Sequence, residues 1–225
     1  PMLPPQKDSK SGSKIYPQAA IRLLSDITRG EAIVSLGVGQ HQMWAMQHYF
    51  SSRSRSFLSS SGFGTMGYGL PAAIGAKAGC PDRTVIDIDG DGSLNMTIHE
   101  LATCHRYGIG VKVVVINNQW LGMVRQWQDL LHGGRYSQSY SEALPDFVKL
   151  AEAYGAKGIR VSDPADLDEA ILEMINSPVP VIFDCLVDKK ENCYPMIPSG
   201  AAHNEMILGD DQDGAEITEE GKMLV

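Results

Sequence analysis

Directly after the apolar run Val85-Ile86-Asp87-Ile88, the residues Gly90-Asp91-Gly92-Ser93 have the makings of an anion cradle that holds a cation. Glycines let backbone N–H groups come close to a phosphate, and a helix starting just beyond them would turn its positive end toward the same anion. A single carboxylate, Asp91, beside bound phosphates suits Mg²⁺, which takes one or two protein oxygens and fills its octahedron with phosphate and water oxygens. A second protein oxygen is on offer at the end of the next apolar run, Val113-Val114-Val115-Ile116, where Asn117-Asn118 supplies neutral amides. Taken together, Asp91 and Asn118 form a magnesium-diphosphate clamp. Taken singly, Asp91 is equally well explained as a helix cap and Asn117-Asn118 as a turn.

Other motifs compete for the same stretch. Gly62-x-Gly64-x-x-Gly67, with Asp87 about 20 residues on, fits the dinucleotide fingerprint and raises an alternative, an NAD-binding oxidoreductase domain. The segment before it, Phe57-Leu58-Ser59-Ser60-Ser61, is short and polar where that fingerprint needs a buried strand. Asp87-x-Asp89-x-Asp91-Gly92 begins like an EF-hand loop, but Ile98 stands where the bidentate Glu is required. His99-Glu100 begins like a zinc-protease helix, but Thr103 replaces the second His. His48, His99, His105 and His132 are read as packed or surface residues. Cys80, Cys104, Cys185 and Cys193, without a C-x-x-C pair, are read as small core residues of a protein in a reducing compartment.

Something must bring the two strand ends together. The 225 residues, 43% hydrophobic and 20% charged, suffice for one sizeable core plus tails. Short β-branched runs at 32–36, 57–60, 84–88, 111–117, 158–161 and 179–187 alternate with helical patterns at 17–28, 42–50, 66–78, 96–107, 145–154 and 165–176. That alternation predicts an α/β fold, a doubly wound parallel sheet with helices on both faces, as a single domain plus tails. Ligands in such sheets sit beyond the carboxyl ends of the strands, where the two candidate loops lie. The formal charge of −8 makes nucleic acid and anionic membranes poor partners. No apolar run approaches the ~18 residues of a membrane span, and Pro1 to Lys14 lacks a signal-peptide core. Residues 1–14, opening Pro1-Met2-Leu3-Pro4-Pro5, read as the remnant of an interdomain linker, and the acidic stretch Gly209 to Glu220 is predicted to be mobile.

Gly90-Asp91-Gly92-Ser93 followed at this distance by Asn117-Asn118 resembles the thiamine-diphosphate (ThDP) fingerprint of the pyruvate-decarboxylase-like enzymes. Gly39-Gln40-His41-Gln42-Met43-Trp44, Gly64-Thr65-Met66-Gly67-Tyr68-Gly69, Gly122-Met123-Val124-Arg125-Gln126-Trp127 and Pro195-Met196-Ile197-Pro198-Ser199-Gly200 narrow the resemblance to the acetohydroxyacid (acetolactate) synthase large catalytic subunit, from about Ile15 to Leu208. The resemblance implies a ThDP diphosphate-binding domain at 15–190 and a C-terminal tail, 191–225, covering the active site. Asp91 and Asn118 would ligate Mg²⁺ through their side chains and Trp120 through its backbone carbonyl, leaving the Trp120 side chain free to vary. Val38, Gly39, Gln40 and His41 would hold the diphosphate from one loop and Gly90, Gly92 and Ser93 from another. Met66, beside Gly64, would wedge under the cofactor and bend it so that its aminopyrimidine nitrogen meets the thiazolium C2 proton. Gly122, Met123 and Val124 would line its rings, and Trp127 and Ser199 would border the substrate channel.

The implied reaction decarboxylates pyruvate and joins the two-carbon unit to a second 2-keto acid, pyruvate or 2-ketobutyrate, for branched-chain amino-acid synthesis. No general base is assigned here, because the family's activating glutamate lies on a separate domain, and FAD is held mostly by another. These residues alone are therefore expected to bind ThDP weakly and to turn over little. A homodimer or tetramer, a regulatory small subunit and a bacterial cytoplasmic location, with plastid or mitochondrion as the alternative, complete what the resemblance implies.

Overall fold

Runs of Val, Ile and Leu too short for a helix and too apolar for a loop become strands buried on both sides. In the computed structural model, which describes residues 14–209, they are β1 (Ile33–Leu36), β2 (Phe57–Ser59), β3 (Val85–Gly90), β4 (Lys112–Asn117), β5 (Lys157–Val161) and β6 (Val181–Leu186). They form one sheet in the order β2-β1-β3-β4-β6-β5, and every neighbouring pair is parallel. The helices are α1 (Pro17–Thr28), α2 (Gln40–His48), α3 (Gly69–Gly79), α4 (Asp91–Leu94), α5 (Leu101–Tyr107), α6 (Gly122–Leu131), α7 (Phe147–Ala153) and α8 (Leu167–Asn176).

Side-chain alternation along the strands divides the core into two layers. Val34, Leu36, Ile86, Ile88, Val114, Ile116 and Phe183 meet α1, α2 and α8 through Ile21, Leu24, Trp44 and Ile171. Ile33, Val85, Val113, Val115 and Ile182 meet α3, α5 and α7 through Leu70, Leu101 and Phe147. The expected doubly wound parallel sheet is the fold observed. Residues 1–13 of the expected linker and the acidic tail from 210 onward lie outside the described residues.

Two helices depart from the expectation. The Gly90-Asp91-Gly92-Ser93 stretch is no loop leading into a later helix: β3 runs through Gly90, and Asp91–Leu94 is itself a single helical turn. The second is α6, which begins on the glycine of Gly122-Met123-Val124. Gly122, Met123 and Val124 are expected to line the cofactor's rings, and the next two residues, Arg125 and Gln126, are buried on the helix's inner face. Boundaries elsewhere shift by a few residues. The 66–78 helix starts only at Gly69, and the 96–107 helix begins with a 3₁₀ turn at Ile98–Glu100.

The chain passes from β1 out to β2 and returns to β3 on the other side of β1, so the loops after β1 and β3 diverge. That switch point leaves a crevice at the carboxyl edge of the sheet. The register pairs Leu36 with Ile88 and Gly90 with Ile116, so the ends of β1, β3 and β4 share that edge.

Candidate functional site

A cavity of about 250 Å³ opens at the switch point. Its lining includes Val38, Gly39, Gln40 and His41 from the loop after β1, Gly64 and Met66 from the 60–68 segment, Gly90 to Ser93, and Asn118, Trp120 and Gly122 to Val124. These are all the residues expected to touch the cofactor or its metal. Gln42, Met43, Trp44, Ile116 and Leu121 join them without having been expected. Trp127 and Ser199, expected around the substrate channel, are not in the lining, and Ser199 is exposed. No residue of 191–209 lines the cavity either. This part of the tail is tied to α6 and α2 through Arg125, Gln126 and Gln47.

Asp91 sits on the floor of the cavity and is only 2% exposed. The Gly92 N–H donates to its Oδ1 at 2.7 Å, whereas its Oδ2 is buried without a hydrogen-bond partner. Burial pushes its carboxyl up to about 7 against the pull of the Gly92 and Gln119 N–H groups. A buried carboxylate oxygen left bare costs free energy unless a proton or a cation meets it. The donor set therefore fits a hard divalent ion. Gly92 keeps the floor shallow, since a Cβ there would stand 2.5 Å from Leu121 and 3.7 Å from the Met66 methyl. The same contact shows the end of Met66 reaching across to the diphosphate loop.

The loop after β4 is folded by its own amides. Asn117 Oδ1 accepts from the Gln119 N–H at 3.2 Å and Asn118 Oδ1 from the Trp120 N–H at 3.0 Å. Gln119 takes φ 61°, the left-handed region that side chains rarely adopt, and its N–H faces Asn117 and Asp91. An amide oxygen accepts twice, so Asn118 Oδ1 retains one lone pair. Gly122 must be glycine because a Cβ there would run into Gln40 Oε1 and stand 2.8 Å from Asn118 Nδ2.

Three of the residues expected at the diphosphate also hold partners within the chain. The Ser93 hydroxyl accepts from the Val38 N–H at 3.2 Å and the Gly67 N–H at 3.1 Å and also bonds Asp89, so its bonding capacity is spent on tying three segments together. Gln40, 2% exposed, donates through its Nε2 to Gln126 and Glu191, accepts through its Oε1 from Asn118, and has its backbone left for an anion. His41 packs against Gly90, where a Cβ would stand 2.6 Å from its Nδ1. Burial drives its pKa down to about 3, so it stays neutral, with Nε2 3.4 Å from Asp89 Oδ1. The helix whose positive end opens on the cavity is α2. This nine-residue helix starts at Gln40 with no side-chain cap on its N-terminus, whereas the turn at 91–94 is too short to carry a dipole of consequence.

The dinucleotide alternative fails on position. Asp87 is wholly buried in mid-strand, bonded to Ser35 at 3.3 Å and pressed by Gly69, so it cannot reach a ribose. Burial and the neighbouring Asp89 both raise its pKa.

Residues 37–185 match the family described as thiamine pyrophosphate enzyme, C-terminal TPP binding domain. The chain belongs to this family. Acetolactate synthase 1, chloroplastic, of Oryza sativa subsp. japonica is 47% identical over 213 residues, covering 92% of this chain and 33% of the relative. The acetolactate synthase isozyme 3 large subunit of Escherichia coli (strain K12) is 48% identical over 198 residues, covering 87% of this chain and 34% of the relative. Among solved structures, the thiamine diphosphate-dependent 4-hydroxybenzoylformate decarboxylase of Rhodococcus jostii RHA1 superposes with a TM-score of 0.74 at 27% identity, over 84% of this chain and 35% of that one. The chain thus spans about a third of the length of the curated relatives it matches. As a member of the TPP-binding domain family it carries a thiamine diphosphate fold, and among its described residues no helix is long and apolar enough to cross a membrane.

Proposed function

We propose that this chain is the diphosphate-binding part of an acetolactate synthase-type carboligase that decarboxylates pyruvate and joins the two-carbon unit to a second 2-keto acid, pyruvate or 2-ketobutyrate. One observation carries the reading. Every residue assigned to the cofactor from the family's motifs lines a single cavity at the β1/β3 switch point. Thiamine diphosphate, when bound, supplies the electron sink that makes loss of CO₂ from a 2-keto acid feasible.

The residues of this chain bind, orient and exclude water. Asp91 through its bare Oδ2, Asn118 through its remaining lone pair and the Trp120 carbonyl would hold Mg²⁺ against the diphosphate. The uncapped start of α2 and the N–H groups of the Gly90–Ser93 turn would take the phosphate oxygens. Met66 would support the bent cofactor, and Leu121, Met123 and Val124 would keep its rings from water. For the longer protein the proposal extends to a glutamate from another domain as the activating acid, to FAD, to a homodimer or tetramer and to a regulatory small subunit. A bacterial cytoplasmic location is proposed, with a plastid or mitochondrion as the alternative that relatives' names suggest. Residues 191–209, with Trp127 and Ser199, are proposed to border the substrate channel rather than the cofactor.

The test is acetolactate formation from pyruvate by the intact protein supplied with ThDP and Mg²⁺. Activity abolished by Asp91→Ala supports the reading. Activity that survives Asp91→Ala, or an intact protein that consumes no pyruvate, refutes it.

A further inference from the structure

Three buried side-chain amides form an unbroken line from the cavity to the tail segment. Gln126, 0% exposed and outside the cavity lining, pairs with both backbone groups of one residue: its Oε1 accepts from the Cys193 N–H at 2.7 Å, and its Nε2 donates to the Cys193 carbonyl at 2.9 Å. The same Oε1 accepts from Gln40 Nε2 at 2.7 Å, and Gln40 Nε2 also donates to the Glu191 carbonyl at 3.1 Å. Gln40 Oε1 then accepts from Asn118 Nδ2 at 3.2 Å. At the far end Asn118 Oδ1 accepts from the Trp120 N–H at 3.0 Å.

An isolated amide can flip, exchanging its oxygen for its nitrogen at little cost. This line cannot, because backbone groups of fixed polarity anchor it at Cys193, Glu191 and Trp120, and every link between them agrees in direction. Burying three amides confers no packing advantage over apolar side chains of the same size, and it is tolerable only because each is satisfied. What the arrangement does achieve is to hold Asn118 Nδ2 on Gln40 and so fix which side Asn118 Oδ1 occupies.

Resting on the reading of Asn118 as a metal ligand, we propose that Gln126 and Gln40 are positioning residues that hold the Asn118 oxygen toward the divalent ion. The polarity is set by the Cys193 backbone groups. Neither side chain needs to touch the cofactor or the ion.

The experiment titrates Mn²⁺ into the intact protein at saturating ThDP and follows free Mn²⁺ by electron paramagnetic resonance, for the wild type, Gln126→Leu and Gln126→Glu. Leucine leaves Gln40 Nε2 with one acceptor fewer and the relay without its anchor, and Mn²⁺ affinity should fall about tenfold. Glutamic acid at a fully buried site is protonated. It can accept from Gln40 and the Cys193 N–H and donate to the Cys193 carbonyl, so affinity should stay within about threefold of the wild type. A role limited to buttressing α6 would lower the melting midpoint of the leucine variant without changing the affinity of the folded protein, and that result overturns the proposal. So does a glutamate variant that falls as far as leucine. If the leucine variant loses its near-UV circular dichroism, Gln40→Met is measured in its place, with the same tenfold loss expected and wild-type affinity contradicting it. Wild-type protein that shows no ThDP-dependent Mn²⁺ binding refutes the metal site itself, an outcome distinct from the failure of the relay.

Discussion

Asp91 and Asp184 are both buried carboxylates near the carboxyl edge of one sheet, and the protein treats them in opposite ways. Asp184, 0% exposed on β6, is fully matched from within the chain. Asn117 Nδ2 donates to one oxygen at 2.8 Å and Arg160 Nε to the other at 2.8 Å. Asp91, 2% exposed, receives a backbone N–H on one oxygen and nothing from the protein on the other. A charge neutralised by its own chain contributes to folding. A charge left for something else to neutralise marks a binding site, and its cost to the fold is the free energy that binding recovers.

That contrast can be broken in several ways. The largest effect is expected at Asp91: Asp91→Ala should weaken Mg²⁺-dependent ThDP binding by at least about 100-fold, more than loss of a supporting residue would. Calorimetric titration of the intact protein measures this. Next, Asp184→Ala should cost about 1–3 kcal/mol of stability in urea unfolding, because it strands the buried Asn117 amide and leaves Arg160 only Asp146 and water, while ThDP affinity stays within about threefold. If both substitutions affect binding alike, the distinction between the two carboxylates is lost.

A smaller effect sharpens the comparison through pH. Burial pushes Asp91 up to about 7, so the folded protein holds a proton there that the unfolded chain releases near pH 4. The folded state thus binds more protons between these values, and its stability falls as pH rises through that window. Metal-free protein should melt lower at pH 8 than at pH 5.5. Asp91→Asn should recover roughly 1–2 kcal/mol at pH 8 while losing cofactor binding, so that one substitution stabilises the fold and disables the site. Asp89, also pushed up to about 7, should preserve part of the slope in that variant. The smallest effect is expected at the residues off the cavity. Trp127→Phe and Ser199→Ala should change ThDP affinity by less than about twofold, and any larger change would place them nearer the cofactor than the lining does.

The strands were legible because runs such as Val113-Val114-Val115-Ile116 leave few other options, and the site was legible because its glycines and amides punctuate strand ends. What each residue does there was harder to read. Ser93 and Gln40 have the right chemistry for a diphosphate contact, but the sequence does not show that three-dimensional neighbours already use those atoms. Gln126 was given no role of its own, standing only within the Gly122–Trp127 motif that carries the resemblance. A signal was available in the spacing, since Gln126 follows Gly122 by one helical turn and so shares its inward face, which makes a buried amide readable in principle. The charge state of Asp91 was unreadable for a different reason, because it depends on how deeply the carboxylate is buried rather than on which residues flank it.

The most direct test is the position of the ion. In crystals of the intact protein grown with ThDP and Mn²⁺, the anomalous signal should place the metal about 2.0–2.3 Å from Asp91 Oδ2 and from Asn118 Oδ1, coordinated on its other side by diphosphate oxygens. An ion bound to the diphosphate but out of reach of both side chains would contradict the assignment of the clamp.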